Sequence, residues 1–255
     1  MAQEVTAKEP KVGGRLDAIA PVLLLVGAIL ATIGFVLTFT TAPLVNGATV
    51  SEPAVIGGTV VANKLLLSQK IFYWHMPVAL TSFIALAFTA YYSVRFLMTK
   101  RACYDVRARL VTEVGLIFVL CTMVTGEMWT RFEWGVWWTW EPRLTTYFVL
   151  MLMIFGYFIL RNAVEDTERR AVYASVFGIL IFIDVPICFM ITRLIPSSVH
   201  PVVFRTDSGL SPDMLLPLML SLFGFLLIAF ALYRLRLRTQ LMEDSLARIQ
   251  DKLED

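Results

Sequence analysis

Residues 18–39 read AIAPVLLLVGAILATIGFVLTF, an unbroken apolar stretch with no charged side chain. A hydrocarbon core of about 30 Å needs about 20 such residues in helical form to cross it. The stretch is too long for the core of a signal peptide, and no small-x-small cleavage pattern follows it, so it is expected to persist as a first membrane helix. Further stretches of the same kind follow along the chain. Together they place approximate spans at 18–40, 72–98, 110–129, 144–161, 171–195 and 213–233. Backbone polar groups in lipid must be satisfied within the chain, and no alternating strand pattern is evident, so the spans are expected to be helices. The fold class is therefore an all-α polytopic membrane protein with six transmembrane helices.

Composition agrees. The chain of 255 residues is 58% apolar and only 16% charged, with a mean hydropathy of +0.71. That excess over soluble proteins is gathered into the spans. A net charge of +2 offers no bulk attraction for nucleic acid. Cys103, Cys121 and Cys188 form no Cys-x-x-Cys, which excludes a thioredoxin-like motif and covalent c-type haem attachment. No P-loop pattern is present, so the chain is not expected to hydrolyse ATP. Proline is expected to kink the helices at Pro186 and Pro217, whereas Pro77 suits a first turn.

Orientation comes from lysine and arginine. One set of ends gathers Lys8, Lys11 and Arg15, then Lys100, Arg101, Arg107 and Arg109, then Arg161, Arg169 and Arg170, then Arg234, Arg236, Arg238, Arg248 and Lys252. The other set holds only Lys64, Lys70, Arg131, Arg143, Arg193 and Arg205. The richer set is expected to be cytoplasmic, with both termini inside and the connections 41–71, 130–143 and 196–212 outside. Three regions result: a cytoplasmic segment 1–17, a six-helix domain 18–233, and a cytoplasmic tail 234–255. In the tail, Met242, Leu246, Ile249 and Leu253 recur at helical spacing, which predicts a short amphipathic helix on the membrane or on a partner.

The outer side then collects an unusual set of residues. The connection between the third and fourth spans contains Trp134-Gly-Val-Trp-Trp-Thr-Trp-Glu-Pro-Arg143. All six tryptophans, Trp74 and Trp129 included, are expected there, whereas Tyr91, Tyr92, Tyr104, Tyr173 and Tyr233 lie toward the inner side. An interfacial belt normally occupies both faces and does not explain so dense a cluster. If 134–141 is helical, Trp134, Trp137, Trp138 and Glu141 share one face and make a shelf wide enough for a porphyrin. The two histidines are also outside: His75 opens the second span and His200 lies between the fifth and sixth. Imidazole is a standard axial ligand of haem iron, and two would complete its coordination. Arg143, followed by Arg131, Arg193 and Arg205, could pair with the haem propionates. Glu141 could orient the loop, pair with an arginine or meet a partner. Asp184, near the middle of the fifth span, could line a path or bond a neighbouring helix.

Several of these stretches carry a resemblance. Thr125-Gly-Glu-Met-Trp129 and Trp134 to Thr146 are similar to the tryptophan-rich motif of haem-handling proteins in cytochrome c maturation, the superfamily of CcmC, CcmF and CcsA. The Arg-Leu-Thr ending, the six spans, Lys70-Ile-Phe-Tyr-Trp-His-Met-Pro77, and Asp184-Val-Pro186 leading to Val199-His-Pro201 most resemble the CcmC type. The resemblance covers most of residues 70–235. It implies that His75 and His200 are the axial ligands of a non-covalent haem b. It implies that Trp129, Trp134, Trp137, Trp138, Trp140, Glu141 and Arg143 line the haem site at the periplasmic face of a bacterial cytoplasmic membrane. The partners it implies are a CcmE-type haem chaperone, a CcmA/CcmB-type ABC transporter, a CcmD-type small membrane protein and the lipid bilayer. A non-enzymatic role in haem presentation follows. The family usually carries Asp where this chain has Glu141. Two other functions fit the sequence: a permease subunit for haem or another solute that uses Asp184, and a cytochrome b-like electron-transfer subunit.

Overall fold

The computed structural model describes residues 14–42, 54–56, 59–61, 64–195 and 212–254. Six helices dominate them: α1 (Arg15–Thr40), α2 (Lys64–Thr99), α3 (Ala102–Trp134), α4 (Pro142–Ala163), α5 (Thr167–Leu194) and α6 (Pro212–Glu254). Each is long and apolar enough to cross a membrane, so the chain is a multi-pass all-α membrane protein. Every expected span coincides with one helix, the fifth running one residue past the end of α5 at Leu194, and most of the helices overrun the apolar stretches. Hydropathy marks the thickness of lipid, whereas backbone hydrogen bonding continues into the polar flanks.

Several expectations change. Because α2 begins at Lys64, Pro77 lies inside the helix rather than in its first turn. Pro21 also lies within α1, alongside Pro186 in α5 and Pro217 in α6. The tail is not a separate short helix: α6 runs unbroken from Pro212 to Glu254, and Met242, Leu246, Ile249 and Leu253 are all exposed. Between α1 and α2 stands a small antiparallel hairpin, β1 (Ala54–Ile56) with β2 (Thr59–Val61), with Val55 opposite Val60. The sequence places Gly57-Gly58 between the strands, a dipeptide suited to hairpin loops.

α2 and α3 form the middle of the bundle. On one side, Val78, Leu110, Val114 and Phe118 pack with Ala31 of α1 and Phe225 of α6. On the other, Leu86 and Val119 pack with Leu150 and Ile154 of α4 and Ile181 of α5. The α1–α6 contact depends on small residues. Gly27, Ala31 and Gly34 recur along one face of α1 against Ser221 and Gly224. A Cβ on Gly224 would sit 2.6 Å from the Ala31 nitrogen and 2.8 Å from the Gly27 oxygen. Apolar side chains gain little from meeting in lipid, so such close backbone approach carries the association. The outer face of α1, with Val22, Leu25, Ile29 and Phe39, is exposed, as suits a lipid-facing surface.

Polar contacts tie the helices at both ends. At one end Arg234 of α6 pairs with Asp17 of α1. There Arg161 of α4 grips Asp105 of α3 through two bonds of 2.6 and 2.8 Å, and Tyr92 stacks with Tyr104 and Tyr233. At the opposite end the Lys70 ammonium donates to the carbonyls of Thr38 and Ala42, the latter at 2.7 Å. It closes the C-terminus of α1 against α2. That end also holds the start of α2, the end of α3 and the start of α4, and so all six tryptophans.

Replacing Gly224 with Val should lower the thermal unfolding midpoint of the detergent-solubilised protein, by the equivalent of about 1–3 kcal/mol or more. Gly156→Ala should be neutral or stabilising, since a Cβ there meets only Phe177 at an ordinary 3.4 Å. Thermal melts of both variants check the seam.

Candidate functional site

His75 projects from α2 toward α3, where one helical turn receives it. Its Nδ1 lies 2.9 Å from Thr125 Oγ1. A Cβ on Gly126 would come within 3.2 Å of the imidazole Cε1, so the glycine makes room for the ring. Trp129 meets the imidazole edge-on, with centroids 5.6 Å apart. Positions 125 and 129 share a helix face at i and i+4, and 126 adjoins them. Trp129 in turn packs edge-on against Phe72 at 6.2 Å. Phe72, Tyr73, Met76, Met214 and Leu218 form the buried apolar floor beneath. Trp74 points elsewhere, between Phe35 and Phe225.

The tryptophan-rich connection is not helical, so the expected shelf along one helix face does not form. α3 ends at Trp134, and Gly135 adopts a left-handed φ of 78° as its C-cap. A side chain at that φ would be strained, and glycine is the usual terminator. Glu141 has an extended backbone and begins α4, with Pro142 at the first helical position. Its carboxylate accepts from the backbone N–H groups of Arg143 at 3.0 Å and Leu144 at 3.1 Å. The structure displays one of the roles open to Glu141: it caps α4. An aspartate can do the same, since short acids are preferred N-caps.

The indoles therefore divide into groups. Trp137 is 59% exposed and lies under the Arg131 guanidinium at 5.9 Å. Arg131 also donates to the Gly135 carbonyl, which pins the end of α3. Trp138 and Trp140 meet edge-on at 5.5 Å, and both pack on Phe148 of α4, at 5.6 and 6.4 Å. Trp140 is 73% exposed. The Trp138 Nε1 and Thr139 Oγ1 atoms are buried without a hydrogen-bond partner among the described residues. Buried donors of this kind normally have a partner, so these two call for an acceptor. Arg143, mostly withdrawn from solvent, is close enough to His75 to act on it electrostatically.

The structure thus joins His75 and Trp129 and sets Arg143 and the loop indoles at the same end of the bundle. His200 and Arg205 lie outside the described residues. Arg193 of α5 donates to the Phe189 carbonyl at 3.3 Å and covers that ring at 5.0 Å. Asp184 accepts from the Cys188 thiol at 3.4 Å, one turn along the same helix. Thr125, Gly126, Thr139 and Phe148 were not singled out as site residues from the sequence. Thr125 and Gly126 stand in the quoted Thr-Gly-x-x-Trp stretch, which was the available signal. No group of three or more His, Cys, Asp or Glu side chains able to hold a metal ion occurs among the described residues. Among the described residues the site's chemistry is one imidazole, broad indole faces, buried donors and a guanidinium. That set suits a large planar ligand with a metal at its centre and acids at its rim.

Comparisons with known proteins point the same way. The family described as "Heme exporter protein C", CcmC, matches residues 5–252. The chain is 27% identical to "Heme exporter protein C" of Escherichia coli strain K12 over 175 residues, covering 69% of this chain and 71% of that protein. It is also 27% identical to "Heme exporter protein C" of Rhodobacter capsulatus over 228 residues, 82% and 90% of the two chains. A "Putative cytochrome c biosynthesis ccmC-like mitochondrial protein" of Arabidopsis thaliana is 29% identical over 188 residues, 73% and 71% of the two chains.

The capping role of Glu141 gives a direct expectation. Glu141→Ala should destabilise the protein by about 1 kcal/mol, and Glu141→Asp should leave stability unchanged or raise it. Thermal unfolding of the two variants distinguishes a cap from a residue needed only for its length.

Proposed function

This chain belongs to the CcmC, Heme exporter protein C, family, and on that footing we propose that it binds haem and presents it for cytochrome c maturation. The observation that carries the reading is the His75 imidazole. It is seated against Thr125 and Trp129 at the end of the bundle that bears the exposed indoles of Trp137 and Trp140. His75 supplies one axial nitrogen and His200 the other, and the haem b is held non-covalently. Haem iron takes imidazole as an axial ligand. The exposed indole faces of the Trp134–Trp140 connection cover the macrocycle, with Trp129 beside the ligating ring. Arg143 and the partnerless donors of Trp138 and Thr139 receive the propionates. Fork-shaped guanidinium and N–H donors match carboxylates, which is why these atoms fit the ligand's rim.

The same reading assigns the sides. The cation-rich end, which includes Arg161, Arg234 and Arg236, faces the cytoplasm, and the haem end faces the periplasm of a bacterial inner membrane. Haem left exposed there passes to a CcmE-type chaperone. The CcmA/CcmB-type transporter and CcmD-type protein assemble with the membrane domain. The chain works by binding and transfer rather than by turnover. Asp184, bonded within its own helix to Cys188, serves packing more naturally than conduction, which favours presentation over a permease.

The test is the absorption spectrum of the purified protein. Wild type should carry a six-coordinate bis-imidazole haem, and His75→Ala or His200→Ala should each abolish or weaken it. An unchanged spectrum in both variants would sink the ligand assignment. Trp138→Phe keeps the ring and removes the Nε1–H, so it should reduce haem retention less than either histidine variant.

A further inference from the structure

The contact between His75 and Thr125 carries information about a proton. Thr125 Oγ1 has one hydrogen to donate. It lies 2.8 Å from the Cys121 carbonyl and 3.1 Å from the Thr122 carbonyl, both of which can only accept. The hydroxyl proton therefore belongs to that backbone, one turn back along α3. If the hydroxyl instead donated to the imidazole, its oxygen lone pairs would be pressed against a carbonyl oxygen at 2.8 Å. What Thr125 has left to offer the His75 Nδ1 at 2.9 Å is a lone pair. A lone pair is satisfied only by an N–H.

We propose that Thr125 is a positioning residue that holds the His75 proton on Nδ1, which leaves the lone pair of Nε2 directed away from α3. Free histidine side chains favour the opposite tautomer, so the protein has to select this one. Which nitrogen binds a metal is set by the hydrogen bond that the other makes. Such a bond also raises the basicity of the ligating nitrogen and fixes the plane of the ring. Gly126 and Trp129 support the same placement: the glycine admits the Cε1 edge, and the indole packs edge-on against the ring. The consequence for iron rests on His75 being a haem ligand, whereas the tautomer is a property of the chain alone.

The chain has only two histidines, which makes the proton directly visible. Nitrogen-15 NMR of histidine-labelled, haem-free protein in lipid nanodiscs, with His200→Gln present, observes a single imidazole. We expect a protonated Nδ1 and an unprotonated Nε2. Thr125→Val, equal in shape but without the oxygen, should shift the population toward Nε2–H, and Thr125→Ser should restore it. A wild-type ring already protonated at Nε2 would overturn the proposal without recourse to any variant. So would a Thr125→Val ring that keeps its Nδ1 proton, or a serine that fails to restore it. In protein that retains His200 and carries haem, Thr125→Val should speed haem loss by about 10–100-fold and raise the reduction potential. Thr125→Ser should do neither. If His75→Ala leaves the haem spectrum intact while the NMR result holds, the ligand assignment fails and the tautomer stands. If haem is lost in His75→Ala but Thr125→Val leaves the proton unmoved, the role of Thr125 fails and the ligand assignment stands.

Discussion

Lipid offers no hydrogen bonds, and that constraint orders this molecule. A polar group inside the spans must find its partner in the chain, so the polar contacts there are few and specific. Most are short-range: the hydroxyls of Thr38, Thr81, Thr112 and Thr122 each donate to the carbonyl one turn back. A smaller number cross between helices and fix their relative rotation, as Ser82 does with Tyr147 at 2.8 Å and Thr89 with Thr112 at 2.9 Å. The His75–Thr125 bond belongs to this second group, with an imidazole in place of a second hydroxyl. Apart from Asp184 in α5, charge gathers toward the two ends, where Asp105–Arg161 and Lys70 with the end of α1 bind pairs of helices that the apolar core would otherwise leave free to slide.

This ordering explains what was legible in the sequence. The six spans were, because burial in lipid imprints on composition over about 20 residues at a time. Their ends were not, since a helix that emerges from lipid keeps its backbone bonds through polar residues such as those of α6 beyond Tyr233. The tryptophan connection departs from its helical expectation for a different reason. A helical wheel over 134–141 aligned three indoles, but Gly135 and Pro142 already punctuate that stretch, and the left-handed turn at Gly135 ended α3 before the wheel could apply. The indoles then found Arg131 and Phe148 instead of one another's helix face.

The candidate site was partly readable. His75 and Trp129 stood out by rarity and by their neighbours, and the structure brings them into contact. Thr125 stands in the quoted motif, but its role there depends on a bond across 50 positions of sequence that local periodicity does not encode. The small residues Gly27, Ala31 and Gly34 were visible as letters. Their meaning came only with Ser221 and Gly224, almost the whole chain away.

The contacts that orient His75 by hydrogen bond and ring packing, through Thr125, Gly126 and Trp129, come from α3, and α3 follows α2 after a two-residue turn at Lys100 and Arg101. The holder of this imidazole is thus one helical hairpin, complete before α4 to α6 are added. His200 belongs to a different stretch, between α5 and α6. A change confined to α4, α5 or α6 would leave in place the α2–α3 contacts that set the plane of His75.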